Sequence, residues 1–89
     1  MSHGNINHYM INAQNFLQEF KEQYVDNEAS EMTMDSEFKT YSSWDSLTAI
    51  SLLAEIKYRY NVELEEEDLN NCTRVADVYQ LIEKKIAHA

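Results

Sequence analysis

The residue whose surroundings point most directly to chemistry is Ser46, which follows Asp45 and precedes Leu47 at the head of a helix-forming run. With Asp45 as N-cap, Ser46 becomes the first helical residue, where backbone N–H groups lack intrahelical acceptors and the helix dipole is positive. A phosphate attached to this hydroxyl would be well placed. Use of the hydroxyl as a nucleophile in the chain's own catalysis needs a local base. The three histidines, His3, His8 and His88, all lie near the ends of the chain, without neighbours to fix an imidazole tautomer. Ser46 therefore reads as an acceptor for a group installed by another enzyme, and no catalytic residue is assigned. On the tripeptide alone, the simpler reading is an ordinary helix cap.

Two further groups invite chemistry and are better explained without it. Cys72 follows two asparagines, with Arg74 as its nearest cation in sequence; nothing there lowers a thiol pKa, and a small structural cysteine is expected. The carboxylates Glu63, Glu65, Glu66, Glu67 and Asp68 lack the alternating oxygen ligands and mid-loop glycine of a calcium loop. They read as a solvated acidic face, and no metal site is assigned.

The elements that must position Ser46 follow from composition and spacing. At 89 residues the chain makes one small domain that buries about 60–65% of its unfolded surface. The only glycine is Gly4, which excludes the glycine-rich phosphate loops of nucleotide-binding folds. A net charge of −9 disfavours nucleic acid and anionic membranes as partners, while 44% hydrophobic residues argue for a folded chain. A lone cysteine and the lack of any long apolar run make the cytoplasm the expected compartment. Residues 1–5 are set aside as a tag or a disordered N-terminus, leaving 6–89 as a single domain.

Periodicity predicts an all-α fold, a small bundle of three main helices plus one short helix. The first helix spans Asn7 to about Tyr24, with Tyr9, Met10, Ala13, Phe16, Leu17, Phe20 and Tyr24 on one face. A long polar loop follows, pinned by Met32, Met34, Phe38 and Tyr41. The second helix, from Ser46 to Tyr60, carries two apolar stripes. Ala49, Leu52, Leu53, Ile56 and Tyr60 form a core face; Leu47, Ile50 and Ala54, with Ser51 beside them, either face a partner or widen the buried arc. A short helix begins in the acidic run, and Thr73 is the expected N-cap of a last helix with Val75, Val78, Tyr79, Ile82 and Ile86 inward.

Asp45-Ser46-Leu47 at the head of a central amphipathic helix, after a first helix and a long acidic loop, resembles the acyl carrier protein family. The resemblance runs from Phe38 through Lys85, and Trp44 to Ser51 looks most like stand-alone bacterial carriers of specialised pathways such as polyketide-like or surface-polymer synthesis. It implies a carrier domain in which Ser46, flanked by Asp45 and Leu47, receives 4′-phosphopantetheine from coenzyme A through a phosphopantetheinyl transferase. The acyl group then rides as a thioester to a ketosynthase, acyltransferase or acyl-activating enzyme, the chain being a monomer without activity of its own. An aminoacyl or peptidyl carrier using the same serine fits the same residues, and an unmodified acidic helical adaptor is the alternative from another class. One departure bears on partners. Where the family's helix usually carries several acids, this chain has Thr48, Ser51, Lys57, Tyr58 and Arg59, with Glu55 the sole acid between Ser46 and Tyr60. Docking through the apolar residues Leu47, Ile50 and Ala54, with Ser51, is the expectation. Trp44, in place of a small residue, either packs under the loop or touches the arm or a partner.

Overall fold

The computed structural model describes residues 11–87. The expected tag at 1–5, the helix start at Asn7 with Tyr9 and Met10, and His3, His8 and His88 lie outside the described residues. Four α-helices follow in order: α1 (Ala13–Lys21), α2 (Ser46–Tyr60), α3 (Glu66–Asn70) and α4 (Val75–Ala87). Among the described residues there is no strand, and the expected all-α bundle of three main helices and one short one is the architecture found.

Helix α1 begins later than the apolar pattern suggested. Asn12 sits in extended backbone and its side chain accepts from the N–H of Gln14 and Asn15, which fixes the start at Ala13. The helix ends at Lys21, not Tyr24: the Gln23 and Tyr24 N–H groups bond the Phe20 and Lys21 carbonyls, a tightened final turn that still buries the Tyr24 ring. Helix α2 ends at Tyr60 and is capped by Asn61, whose φ of 55° is the left-handed conformation that asparagine tolerates.

The core gathers Phe16 and Phe20 from α1, Leu52 and Ile56 from α2, Leu69 from α3, and Val75, Val78 and Ile82 from α4. Each such side chain contributes roughly 1.5–3 kcal/mol before the entropy of ordering is counted. Phe16 packs on Phe20 (centroids 5.6 Å apart) and on Tyr79 (5.4 Å), tying α1 to α4. Tyr60 of α2 donates to Glu19 of α1, and Arg59 bridges Glu19 and Glu55, so the same α1 face is tied to α2.

The long loop is more ordered than a polar run implies. It contains 3₁₀ turns at Asn27–Glu31 and Phe38–Thr40, with Met32 and Phe38 buried and Met34 and Tyr41 half-buried, the four residues expected to pin it. Its Met34 and Ser36 carbonyls accept from the Ala76 and Val75 N–H groups (2.8 and 3.1 Å), sealing the start of α4. The expected Thr73 cap is replaced by a reach-back: the Asp77 carboxylate accepts from the N–H of Thr73 and Arg74 (2.9 and 2.8 Å). A carboxylate one turn inside reaches both donors, so no hydroxyl cap is needed.

The acidic run opens α3, where Asp68 accepts from the Glu65 N–H. Lys39 donates to the Leu69 and Asn70 carbonyls at the other end of that helix, a cation placed against the negative end of the dipole. Val62 and Leu64 point inward and Glu63 outward, an alternation that makes an extended connection and no strand. Among the described residues no acid, histidine and cysteine cluster is arranged to hold a metal ion.

Candidate functional site

Asp45 precedes α2 in extended backbone (φ −157°, ψ −174°) and its carboxylate accepts from the Thr48 N–H at 2.8 Å. That bond holds the carboxyl below its ordinary pKa, so Asp45 is ionised and committed to the cap at neutral pH. Thr48, the one buried polar residue among the described residues, donates its hydroxyl to the Ser43 carbonyl at 2.8 Å. These two bonds fix the conformation of the turn into the helix. Ser46, at the first position of the fifteen-residue helix, is exposed, and no side-chain hydrogen bond among the described residues engages its hydroxyl.

Behind this turn Trp44 packs edge-on against Phe38 (5.3 Å) and stacks on Tyr24 (6.2 Å), which is the packing role under the loop. The Tyr24 hydroxyl donates to the Phe38 carbonyl at 2.6 Å, and burial raises its pKa strongly. Asp26, at the start of the loop, accepts from the Ser42 hydroxyl (3.0 Å) and the Ser43 hydroxyl (2.8 Å), and the Ser43 bond is the main reason its carboxyl stays below the ordinary range.

Along α2 the two apolar stripes separate. Ala49, Leu52 and Ile56 are buried, with Leu53 and Tyr60 half-buried beside them. Leu47 is 72% exposed and Ile50 55% exposed, and Ser51 and Ala54 are exposed on the same face. Tyr58, 83% exposed, continues that face one turn beyond Ala54, and Lys57 borders it. Arg59 lies on the opposite border, engaged by Glu55 and Glu19. Cys72 is buried, and burial raises its thiol pKa, the environment of a structural cysteine.

The family model for the phosphopantetheine attachment site matches residues 23–82, about two thirds of the chain. The chain belongs to the acyl carrier protein family. An acyl carrier protein from Exiguobacterium sibiricum is 29% identical over 70 residues, covering 79% of this chain and 89% of that protein. No solved structure matches the chain significantly. Acyl carrier proteins are carriers rather than catalysts, use 4′-phosphopantetheine as their cofactor, and meet a phosphopantetheinyl transferase and biosynthetic enzymes.

The residues present fit that cofactor. An exposed primary hydroxyl stands at a helix start, where backbone N–H groups and the dipole favour a phosphodiester. Among the described residues no helix is long and apolar enough to cross a membrane.

Sequence reasoning missed two features here. Tyr58 extends the outward apolar face, and its i+4 spacing from Ala54 is the sequence signal for it. Asp26 gave no signal, because its partners lie 16 and 17 residues away across an irregular loop.

Proposed function

We propose that this chain is an acyl carrier whose attachment residue is Ser46, positioned by Asp45 and Leu47, and that it docks on partner enzymes through Leu47, Ile50, Ser51 and Ala54. The observation that carries the reading is the exposed Ser46 hydroxyl at the head of α2, with a large apolar residue, Leu47, exposed immediately beside it. In loading, the Ser46 oxygen forms a bond to phosphorus as the pyrophosphate linkage of coenzyme A breaks; adenosine 3′,5′-bisphosphate leaves, and the hydroxyl proton passes to a base of the transferase. Once attached, the group supplies a terminal thiol that holds an acyl chain as a thioester.

The chain's own residues orient and present. Asp45 fixes the helix start, and the exposed apolar face adjoining Ser46 offers area that a partner can bury. A ketosynthase, an acyltransferase or an acyl-activating enzyme of a fatty-acid-like, polyketide-like or surface-polymer pathway is the class of partner, with the cytoplasm as compartment and a monomer as the working state. No catalytic step is assigned to the chain.

Incubation with an acyl-coenzyme A and a broad-range phosphopantetheinyl transferase tests this. Intact mass should rise by one acyl-phosphopantetheine per chain, and neutral hydroxylamine should remove only the acyl portion. An unmodified adaptor would show neither change.

A further inference from the structure

An aspartate at the start of a helical turn ordinarily spends its side chain on the N–H groups of that turn. Asp26 occupies the N-cap position of the 3₁₀ turn Asn27–Glu31 but makes no such bond. Both its carboxylate oxygens reach instead across the loop: Oδ2 accepts from Ser42 Oγ at 3.0 Å and Oδ1 from Ser43 Oγ at 2.8 Å. Ser43 in turn holds α2 through its carbonyl, which accepts from Thr48 Oγ1 at 2.8 Å, and the Thr48 N–H returns to Asp45 at 2.8 Å. A path of three hydrogen bonds, with the Ser42 bond as a side branch, thus runs from Asp26, in the loop after α1, to the helix start that carries Ser46. Apolar packing runs parallel to it, from Tyr24 through Trp44 to Phe38.

We propose that Asp26 is a positioning residue for the attachment turn, holding Ser42 and Ser43 so that residues 43–48 keep one conformation before any modifying enzyme arrives. This rests on the reading of Ser46 as the attachment residue. Asp26 does not touch Ser46; it acts through Ser43 and Thr48. A turn already in its final conformation spares the transferase the cost of ordering it, whereas a turn that is competent only part of the time weakens apparent affinity by that fraction and leaves turnover at saturation nearly unchanged.

The test compares wild type, Asp26→Ala, Asp26→Asn, Ser43→Ala and the Asp26→Ala/Ser43→Ala double variant. Transferase kinetics with coenzyme A are measured beside amide hydrogen exchange of residues 43–48 and of α4. Asp26→Ala should raise KM for the carrier about fivefold with kcat within about twofold. It should speed exchange at 43–48 about tenfold without changing α4. Asp26→Asn, which keeps an acceptor for Ser43 but not for both serines, should recover part of each effect. The double variant should be little worse than Asp26→Ala, because the two residues serve one connection. Unchanged KM and exchange, exchange rising equally in α4, or fully additive single effects would each overturn the proposal. If wild type itself is never modified, the assignment of Ser46 fails, and the exchange measurement still decides whether Asp26 holds the turn.

Discussion

Helices α2 and α4 begin with the same physical problem, and each uses an aspartate carboxylate, but only α4 also has loop carbonyls laid over its start. Each start exposes backbone N–H groups that a helix cannot satisfy internally. At α4 the loop supplies the Ser36 and Met34 carbonyls to Val75 and Ala76, and Asp77 takes the N–H groups of Thr73 and Arg74. That end is closed by the chain itself. At α2 the Asp45 side chain takes the Thr48 N–H, the chain turns away at Trp44, and Ser46 and Leu47 are left facing solvent. The contrast is between a start that the loop covers and one that leaves a hydroxyl and a large apolar side chain in solvent. The same loop serves both ends with different residues: Met34 and Ser36 close α4, and Phe38 packs against Trp44 ahead of α2.

The largest effects should come from emptying the core behind either end. Met32→Ala, beneath the loop that seals α4, and Leu52→Ala, on the inward side of α2, should each cost about 2–5 kcal/mol in denaturant unfolding. The folded fraction of Met32→Ala should still be modified at the wild-type rate; slowed modification without lost stability would join the two ends functionally and break the comparison. Ile50→Asp, on the outward side of α2, should change stability by less than about 0.5 kcal/mol while reducing acyl transfer to partner enzymes. If Ile50→Asp unfolds the chain and Leu52→Ala is silent, the two faces have been exchanged.

Removing the reach-back should have a smaller effect. Asp77→Ala should cost about 1 kcal/mol at pH 7 and leave modification untouched. The Arg74 and Thr73 N–H groups hold the Asp77 carboxyl below its ordinary value of 3.8. Its stabilisation is therefore fully present above that value and is lost as pH falls through the lower folded value. Melts of wild type and Asp77→Asn between pH 7 and 2 should converge in acid, and a difference that persists at the lowest pH would exclude this origin.

Ionic strength should act least. Glu63, Glu65, Glu66, Glu67 and Asp68 crowd five charges into six residues of a chain of net charge −9, whereas Arg74 pairs with Glu37 and Arg59 with Glu19 and Glu55. Raising salt from 0.01 M to 0.1 M shortens the screening length from about 30 to about 10 Å. The melting temperature should rise by a few degrees, and divalent cations should do the same at lower concentration. A flat or falling melting temperature would mean that Lys39 and the α3 dipole already offset the run.

Much of this was legible in the sequence because it rests on local rules. Steps of three and four residues placed Phe16, Leu52 and Val78 inside, and the order Asp45-Ser46-Leu47 marked a helix start. What was not legible depends on distant partners. Asn12 fell inside the expected first helix by spacing, yet its side chain caps the helix and sets its start at Ala13. Thr73 had the side chain of a cap, but Asp77 had the reach. Asp26 looked like one more polar loop residue until the fold brought Ser42 and Ser43 beside it. Spacing alone left the Leu47 and Ile50 stripe undecided between core and surface, because only the packing of α1 and α4 determines how wide an arc of α2 is covered.

In the proposed function the exposed start of α2 carries the cofactor at one hydroxyl among several nearby. Ser42, Ser43 and Ser51 lie within five residues of Ser46 and offer the same chemistry. Peptide-resolved mass spectrometry after incubation with coenzyme A and a phosphopantetheinyl transferase separates them directly. A single phosphopantetheine on Ser46 is expected, with a Ser46→Ala variant that stays helical and unmodified. Modification at Ser42, Ser43 or Ser51, or of the alanine variant, would contradict it.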